Sequence, residues 1–207
     1  MIVISHRGYW LQAEEKNSVA AFKRSFNLGM GTETDVRDSG SRVVISHDMP
    51  KGGELYLEDL LDIMGARRLP LALNIKADGL TDEIKRIMSA GGFDNYFTFD
   101  MSIPDMVYQL RQGMPVYTGL SDILPQPVLF GKAVGIWLDC FEADWYTSSV
   151  LDDLVSQGKK VCIVSAELHG RNAARQWSIL AEAQSLASDQ VMLCTDTPLE
   201  AKAFFGI

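Results

Sequence analysis

Short apolar runs recur along the chain, and each gives way to a polar residue. Ile2–Ser5, Thr32–Val36, Leu69–Ile75, Tyr96–Phe99, Val116–Thr118, Gly135–Leu138, Val161–Val164 and Val191–Cys194 read as strands. Helical segments intervene. Asn17 or Ser18 caps a helix with Val19, Phe22 and Phe26 on one face, ended by Gly29. Ser102 with Pro104 opens another. Thr147 opens a third, carrying Val150, Leu151 and Leu154 and ending at Gly158, and Arg171–Ala187 makes the longest. Strands alternating with helices imply parallel pairing. Eight strands in 207 residues leave about 26 per unit, near the roughly 30 of a minimal βαβ repeat. The pattern therefore predicts an α/β fold, a compact (β/α)8 TIM barrel, in one domain over residues 1–207. Ser121–Lys132 contains two prolines and makes the fifth unit irregular. A turn at Asp38-Ser39-Gly40-Ser41 joins Thr34–Val36 to Val43–Ile45 as a small hairpin after the second strand.

Composition narrows the class. At 47% hydrophobic residues the chain can bury one good core. No stretch approaches the roughly 18 apolar residues of a membrane span, and no basic leader precedes an apolar core, so a cytoplasmic protein is expected. The net charge of −8 argues against a nucleic-acid or anionic-membrane partner but leaves room for a small anionic substrate. Cys140, Cys162 and Cys194 are odd in number and lie in or beside apolar runs, as buried free thiols of a reducing compartment do. Oligomeric state is not readable from these features.

Candidate chemistry gathers where strands run out: His6, Asp35, Lys76, Asp100, Thr118, Asp139, Ser165 and Asp196. In this architecture the carboxyl ends of the strands form the catalytic face. Alternation puts Glu33 and Asp35 on the same side, about 7 Å apart at Cα, where two carboxylates can hold one divalent cation. The same period places Asn74 beside Lys76 on one face of the third strand. Oxygen ligands from Glu33, Asp35 and Asn74 favour Mg²⁺ or Ca²⁺ over zinc. With the hairpin turn centred near Gly40, paired residue numbers sum to about 80, which sets His47 opposite Glu33, with Asp48 to fix its tautomer. His6 approaches from the neighbouring strand. Two imidazoles beside paired carboxylates suit acid–base catalysis. On the seventh strand Glu167, His169 and Arg171 would bring the third histidine to the same face, and Arg171 could bind a terminal phosphate or carboxylate. A loop of solvated charges is the competing reading of that stretch.

His6-Arg7-Gly8, Asn17-Ser18 before Ala20-Ala21-Phe22, Glu33-x-Asp35, His47-Asp48 and Lys76 fall in order on the motifs of the glycerophosphodiester phosphodiesterase family. That family shares its barrel with phosphatidylinositol-specific phospholipase C, and the chain resembles a short, divergent member. Thr195-Asp196-Thr197-Pro198 continues the resemblance on the last strand. It implies a metal-dependent phosphoric diester hydrolase acting on a small glycerophosphodiester-like substrate, with His6 and His47 as the acid–base pair. Arg7 and Lys76 would draw charge from the phosphoryl oxygens, and a neighbouring substrate hydroxyl would attack first to give a cyclic phosphate. Two positions depart from the family: Lys16 and Asn74 stand where it carries glutamates, and Glu167 could supply a replacement carboxylate. The family's insertion after strand two is also missing, leaving only Met49–Tyr56. Three other readings remain open: a phospholipase D-like lyase releasing the cyclic phosphate, a Schiff-base aldolase using Lys76, and a catalytically silent phosphate-binding module.

Overall fold

The computed structural model describes residues 1–207, which divide into two compact units, Ser5–Val116 and Tyr117–Ile207 with Met1–Ile4. Its eight parallel strands with intervening helices make the fold class (β/α)8. No helix is long and apolar enough to cross a membrane.

The Ser5–Val116 unit takes in the end of β1 (Ile2–His6), then α1 (Val19–Asn27), β2 (Gly31–Ser39), β3 (Arg42–Ile45) and α2 (Leu57–Met64). It continues through β4 (Leu71–Ile75), α3 (Thr81–Ala90), β5 (Tyr96–Phe99) and α4 (Ile103–Arg111). The strand order is β5-β4-β2-β1, with β3 antiparallel on β2. All five residues of β4 are buried, as a parallel strand covered on both faces requires. Ser18 caps α1 by accepting the Ala21 N–H at 3.2 Å, and the helix buries Ala21, Phe22 and Phe26. Ser102 does the same for α4, accepting the Asp105 N–H at 3.3 Å with Pro104 in the first turn.

Two devices fix the loop after β1. Thr32 Oγ1 accepts the Gly8 N–H at 2.8 Å within a buried hydroxyl cluster in which the Ser5 and Ser25 Oγ atoms lie 2.7 Å apart. Gly8 itself sits at φ +80°, and a Cβ there would come within 2.7 Å of the Ala21 Cβ. Only glycine allows the loop to lie this close to α1.

The hairpin differs from its sequence-based register. Ser39 pairs with Arg42, so Gly40-Ser41 is a two-residue turn and pair numbers sum to 81. The ladder ends at Val36–Ile45, where the Ile45 N–H turns away to the Leu55 carbonyl at 2.7 Å. His47 is therefore not set opposite Glu33; it stands beyond the strand on a loop. A shift of one residue in a hairpin exchanges the two faces of a strand, which is why the turn type decides the outcome.

The second unit, described by itself, holds β6 (Tyr117–Leu120), β7 (Gly135–Leu138), α5 (Ser148–Ser156), β8 (Lys160–Val164), α6 (Ala174–Ala181), β9 (Val191–Thr195) and α7 (Pro198–Phe205). Strands β9, β8, β7 and β6 pair in that order, all parallel. No helix lies between β6 and β7, in keeping with the irregular fifth unit expected from its prolines. The long helix expected over Arg171–Ala187 is broken: α6 stops at Ala181 and a separate 3-10 turn follows at Gln184–Ala187. Asp152 of α5 causes the break, accepting the N–H groups of Gln184 and Ser185 and the Ser185 hydroxyl at 2.6–3.2 Å. The three cysteines are buried free thiols.

Candidate active site

Asp35 is the centre of the cluster. It is fully buried on β2, one residue before the parallel pairing with β4 ends at Val36, and three groups converge on its carboxylate. Arg7 Nε lies 2.7 Å from Oδ2, Asn17 Nδ2 donates to Oδ2 at 2.9 Å, and Lys76 Nζ stands 3.5 Å from Oδ1. Such an arrangement satisfies a buried charge that would otherwise be prohibitively costly. The backbone prepares it: Arg7 donates its N–H to the Glu33 carbonyl and accepts the Asn17 N–H on its own carbonyl, both at 2.9 Å. Arg7 and Asn17 hold φ values of +58° and +59°, a left-handed conformation that non-glycine residues keep where surrounding contacts enforce it. Thr34 Oγ1 donates to Asn17 Oδ1 at 2.8 Å, so both ends of that amide are specified.

Glu33, two residues earlier on the same face, is equally buried, and His6 Nε2 lies 3.8 Å from its Oε2. Burial pushes the Glu33 carboxyl up to about 7, helped by the negative Asp35 and opposed by His6, Arg7 and Lys76. Asn74 is the register neighbour of Asp35 on β4, which places it on the Asp35 face, as the sequence period predicts. Lys76 follows at the strand end, its N–H bonded to the Val36 carbonyl at 2.9 Å.

His47 is half-exposed, with Nδ1 2.9 Å from Asp48 Oδ1, and that contact lowers the Asp48 carboxyl below its ordinary range. A carboxylate only accepts, so Nδ1 carries the hydrogen and Nε2 is left for a ligand. His47 and Asp48 line an open cleft of about 820 Å³ together with Arg7, Lys16, Asn17 and Lys51.

The donors expected to hold a cation were Glu33, Asp35 and Asn74. No three His, Cys, Asp or Glu side chains gather as a metal cluster. Nevertheless, Glu33 Oε2 and Asn74 Oδ1 are buried oxygens without hydrogen-bond partners, Glu33 on Asp35's own strand and Asn74 its register neighbour on β4. Orphaned hard oxygens beside a carboxylate fit a hard divalent ion, which would share Asp35 with Arg7 and Lys76.

The residues expected to bind substrate in the second unit all have internal partners. Glu167 accepts from the Ser165 and Thr195 hydroxyls and the Asp196 N–H. Arg171 donates to Asp144 at 2.6 Å and to the Cys140 carbonyl at 2.8 Å. His169 Nε2 lies 2.7 Å from Asp139 Oδ1, a buried carboxyl raised mainly by desolvation. Glu167 and Arg171 also line a small cavity of about 330 Å³. Sequence reasoning did not find the His169–Asp139 pair, because 30 residues and two elements separate the partners. It also missed the grip of Asn17 on Asp35 and the stacking of Lys16 over Trp10, with Nζ 4.6 Å from the ring centroid. The one available signal was an indole two residues after His6-Arg7-Gly8, at Trp10.

Fold and site together define a class: a (β/α)8 protein in which buried carboxylates on β2 meet cations and an imidazole from neighbouring strand ends. No protein-family model matches the chain, and no curated protein matches it by sequence. Among solved structures, a glycerophosphodiester phosphodiesterase from Agrobacterium tumefaciens is similar at TM-score 0.74 and 15% identity, with 100% of each chain covered. A phosphodiesterase from Oleispira antarctica, solved with its product sn-glycerol-3-phosphate, is similar at TM-score 0.68 and 16% identity, covering 100% of this chain and 97% of that one. At these identities the likeness is one of fold.

Proposed function

We propose that residues 1–207 form one phosphodiesterase domain that cleaves small glycerophosphodiester-like substrates with the help of a divalent cation, Mg²⁺ or Ca²⁺. The observation that carries this reading is the convergence of Arg7 and Lys76 on the buried Asp35, with His6 beside Glu33 and His47 sharing Arg7's cleft. Its support from elsewhere is the fold shared with two phosphodiesterases, one of them solved with a glycerol phosphate.

Asp35 holds the Arg7 guanidinium rigid, so its outward N–H groups are oriented before an anion arrives. Lys76 adds a second cation from the neighbouring strand end, and charge developing on phosphoryl oxygens meets fixed partners. His47, with Nδ1–H held by Asp48, presents Nε2 as a base when neutral and an acid when protonated. His6 takes the complementary proton-transfer role. Glu33, Asp35 and Asn74 would hold the cation, which when bound supplies Lewis-acid polarisation of the phosphoryl group.

The test is turnover of bis(p-nitrophenyl) phosphate and of glycerophosphodiesters with Mg²⁺, Ca²⁺, Mn²⁺ or EDTA. Metal-stimulated hydrolysis is expected, and ³¹P NMR of the products separates a hydrolase from a cyclising lyase. Absence of turnover with every metal would overturn the reading.

A further inference from the structure

Two ammonium groups on the cleft wall have no part in the chemistry above. Lys16 is held over the Trp10 ring at 4.6 Å, and the Trp10 indole N–H donates to the His6 carbonyl at 3.2 Å. Its charge is thus fixed relative to the end of β1. Lys51 stands on the loop between β3 and α2, and that loop is built rather than slack. Glu54 Oε1 accepts the N–H groups of Lys51 and Gly52 at 2.5 and 3.0 Å, and Gly52 and Gly53 take φ values of +100° and +91°. Both lysines line the same cleft as Arg7 and His47.

Their electrostatic situation is unusual. Neither ammonium has a carboxylate oxygen within 4 Å. The cleft wall also carries Asp48, Glu54 and Asp59, equal in number to its lysines and arginine, so net charge alone says nothing. What differs is engagement. Asp48 holds the His47 ring, Glu54 the Lys51 and Gly52 amides, and Asp59 the Tyr56 N–H at 3.0 Å. Arg7 is paired with Asp35. Of the cations facing the cleft, only Lys16 and Lys51 make no ion pair within 4 Å, Lys51 acting on Asp48 and Glu54 from farther off, and a cation without a bound counter-ion is a recognition group for an anion.

We propose that the cleft selects a phosphodiester bearing a second anionic group, a carboxylate or a phosphomonoester, which Lys16 and Lys51 receive while the diester lies at Arg7. This rests on the reading of the cleft as a phosphodiester site. A volume of about 820 Å³ is ample for both groups.

Calorimetric titration of the intact protein at low ionic strength tests it, with sn-glycerol 3-phosphate, 3-phosphoglycerate and glycerol 1,3-bisphosphate as probes. The two doubly functionalised probes should bind about tenfold more tightly than glycerol 3-phosphate, a difference of one well-placed charge contact. The better of the two identifies the second group as carboxylate or phosphate. Lys16→Met and Lys51→Met keep the apolar stems and should each erode that advantage, the double variant abolishing it, with glycerol 3-phosphate affinity held within about twofold. Equal binding of all three probes by the wild type would overturn the proposal and leave the phosphodiester reading standing. A uniform loss for every probe in the variants would overturn it too. Failure of all three to bind, together with no phosphodiester turnover, would overturn both.

Discussion

The Glu33 carboxylate lies 3.8 Å from the His6 imidazole, and burial, helped by Asp35 and opposed by His6, Arg7 and Lys76, drives that carboxyl to accept a proton near neutral pH. Because its value in the fold, about 7, exceeds the ordinary 4.5, the folded state binds the proton more tightly than the unfolded chain. The contribution to stability is complete below about pH 4.5 and is lost as pH rises through about 7. In EDTA, the wild-type melting temperature should fall between pH 5 and pH 8 by about 5 °C more than that of Glu33→Gln. Thermal melts of the two proteins across that range are the check; parallel curves would show that Glu33 does not titrate there. Added Mg²⁺ should flatten the wild-type curve, since a bound cation favours the ionised carboxylate.

Arg7 and Asp35 should behave as one unit in folding. Arg7→Ala leaves a buried carboxylate with only Lys76 and Asn17 and should cost about 3 kcal/mol. Asp35→Asn in the same background should recover part of that loss. Urea unfolding of both single variants and the double gives the coupling, and strictly additive losses would contradict it.

His6 and His47 should fail together. Each alanine substitution is expected to lower kcat by about 10²–10⁴, and the double variant should be little worse than either single. Independent, multiplicative losses in steady-state kinetics would assign them separate binding roles instead.

Asn74 offers a neutral oxygen where a charge would hold a cation better. Asn74→Glu should lower the metal concentration giving half-maximal rate by about tenfold, while the rate at saturation stays level or falls. Calorimetric metal titration alongside thermal melting is the measurement. Unchanged metal affinity with a large loss of stability would place this side chain outside the cation's reach.

The early site was readable because its signals are local. Alternation on β2 and β4 sufficed to put Glu33, Asp35 and Asn74 on one face, and the register of the strands agrees. The position of His47 was lost to a turn that is tighter than supposed, a matter of whether Ser39 belongs to the turn or the strand. The break after Ala181 was invisible for another reason: its cause is Asp152, some 30 residues upstream, capping a second helical turn. Periodicity reports what a segment buries, and carries no trace of a distant carboxylate that competes for its backbone. The partners taken by Arg171 and Glu167 escaped notice in the same way, being made across elements.

Asn17 gives the site a finite shelf life. Its amide nitrogen donates to Asp35 while its amide oxygen takes the Thr34 hydroxyl, so the two ends are not interchangeable. Asparagine is among the thermolabile residues, and spontaneous loss of its ammonia leaves a carboxylate in its place. Here that change would set a second negative oxygen against Asp35 at a distance now spanned by a hydrogen bond of 2.9 Å, loosening Arg7 from its anchor. Aged preparations should therefore lose function through a mass gain of about one dalton at this residue, with the chain otherwise intact.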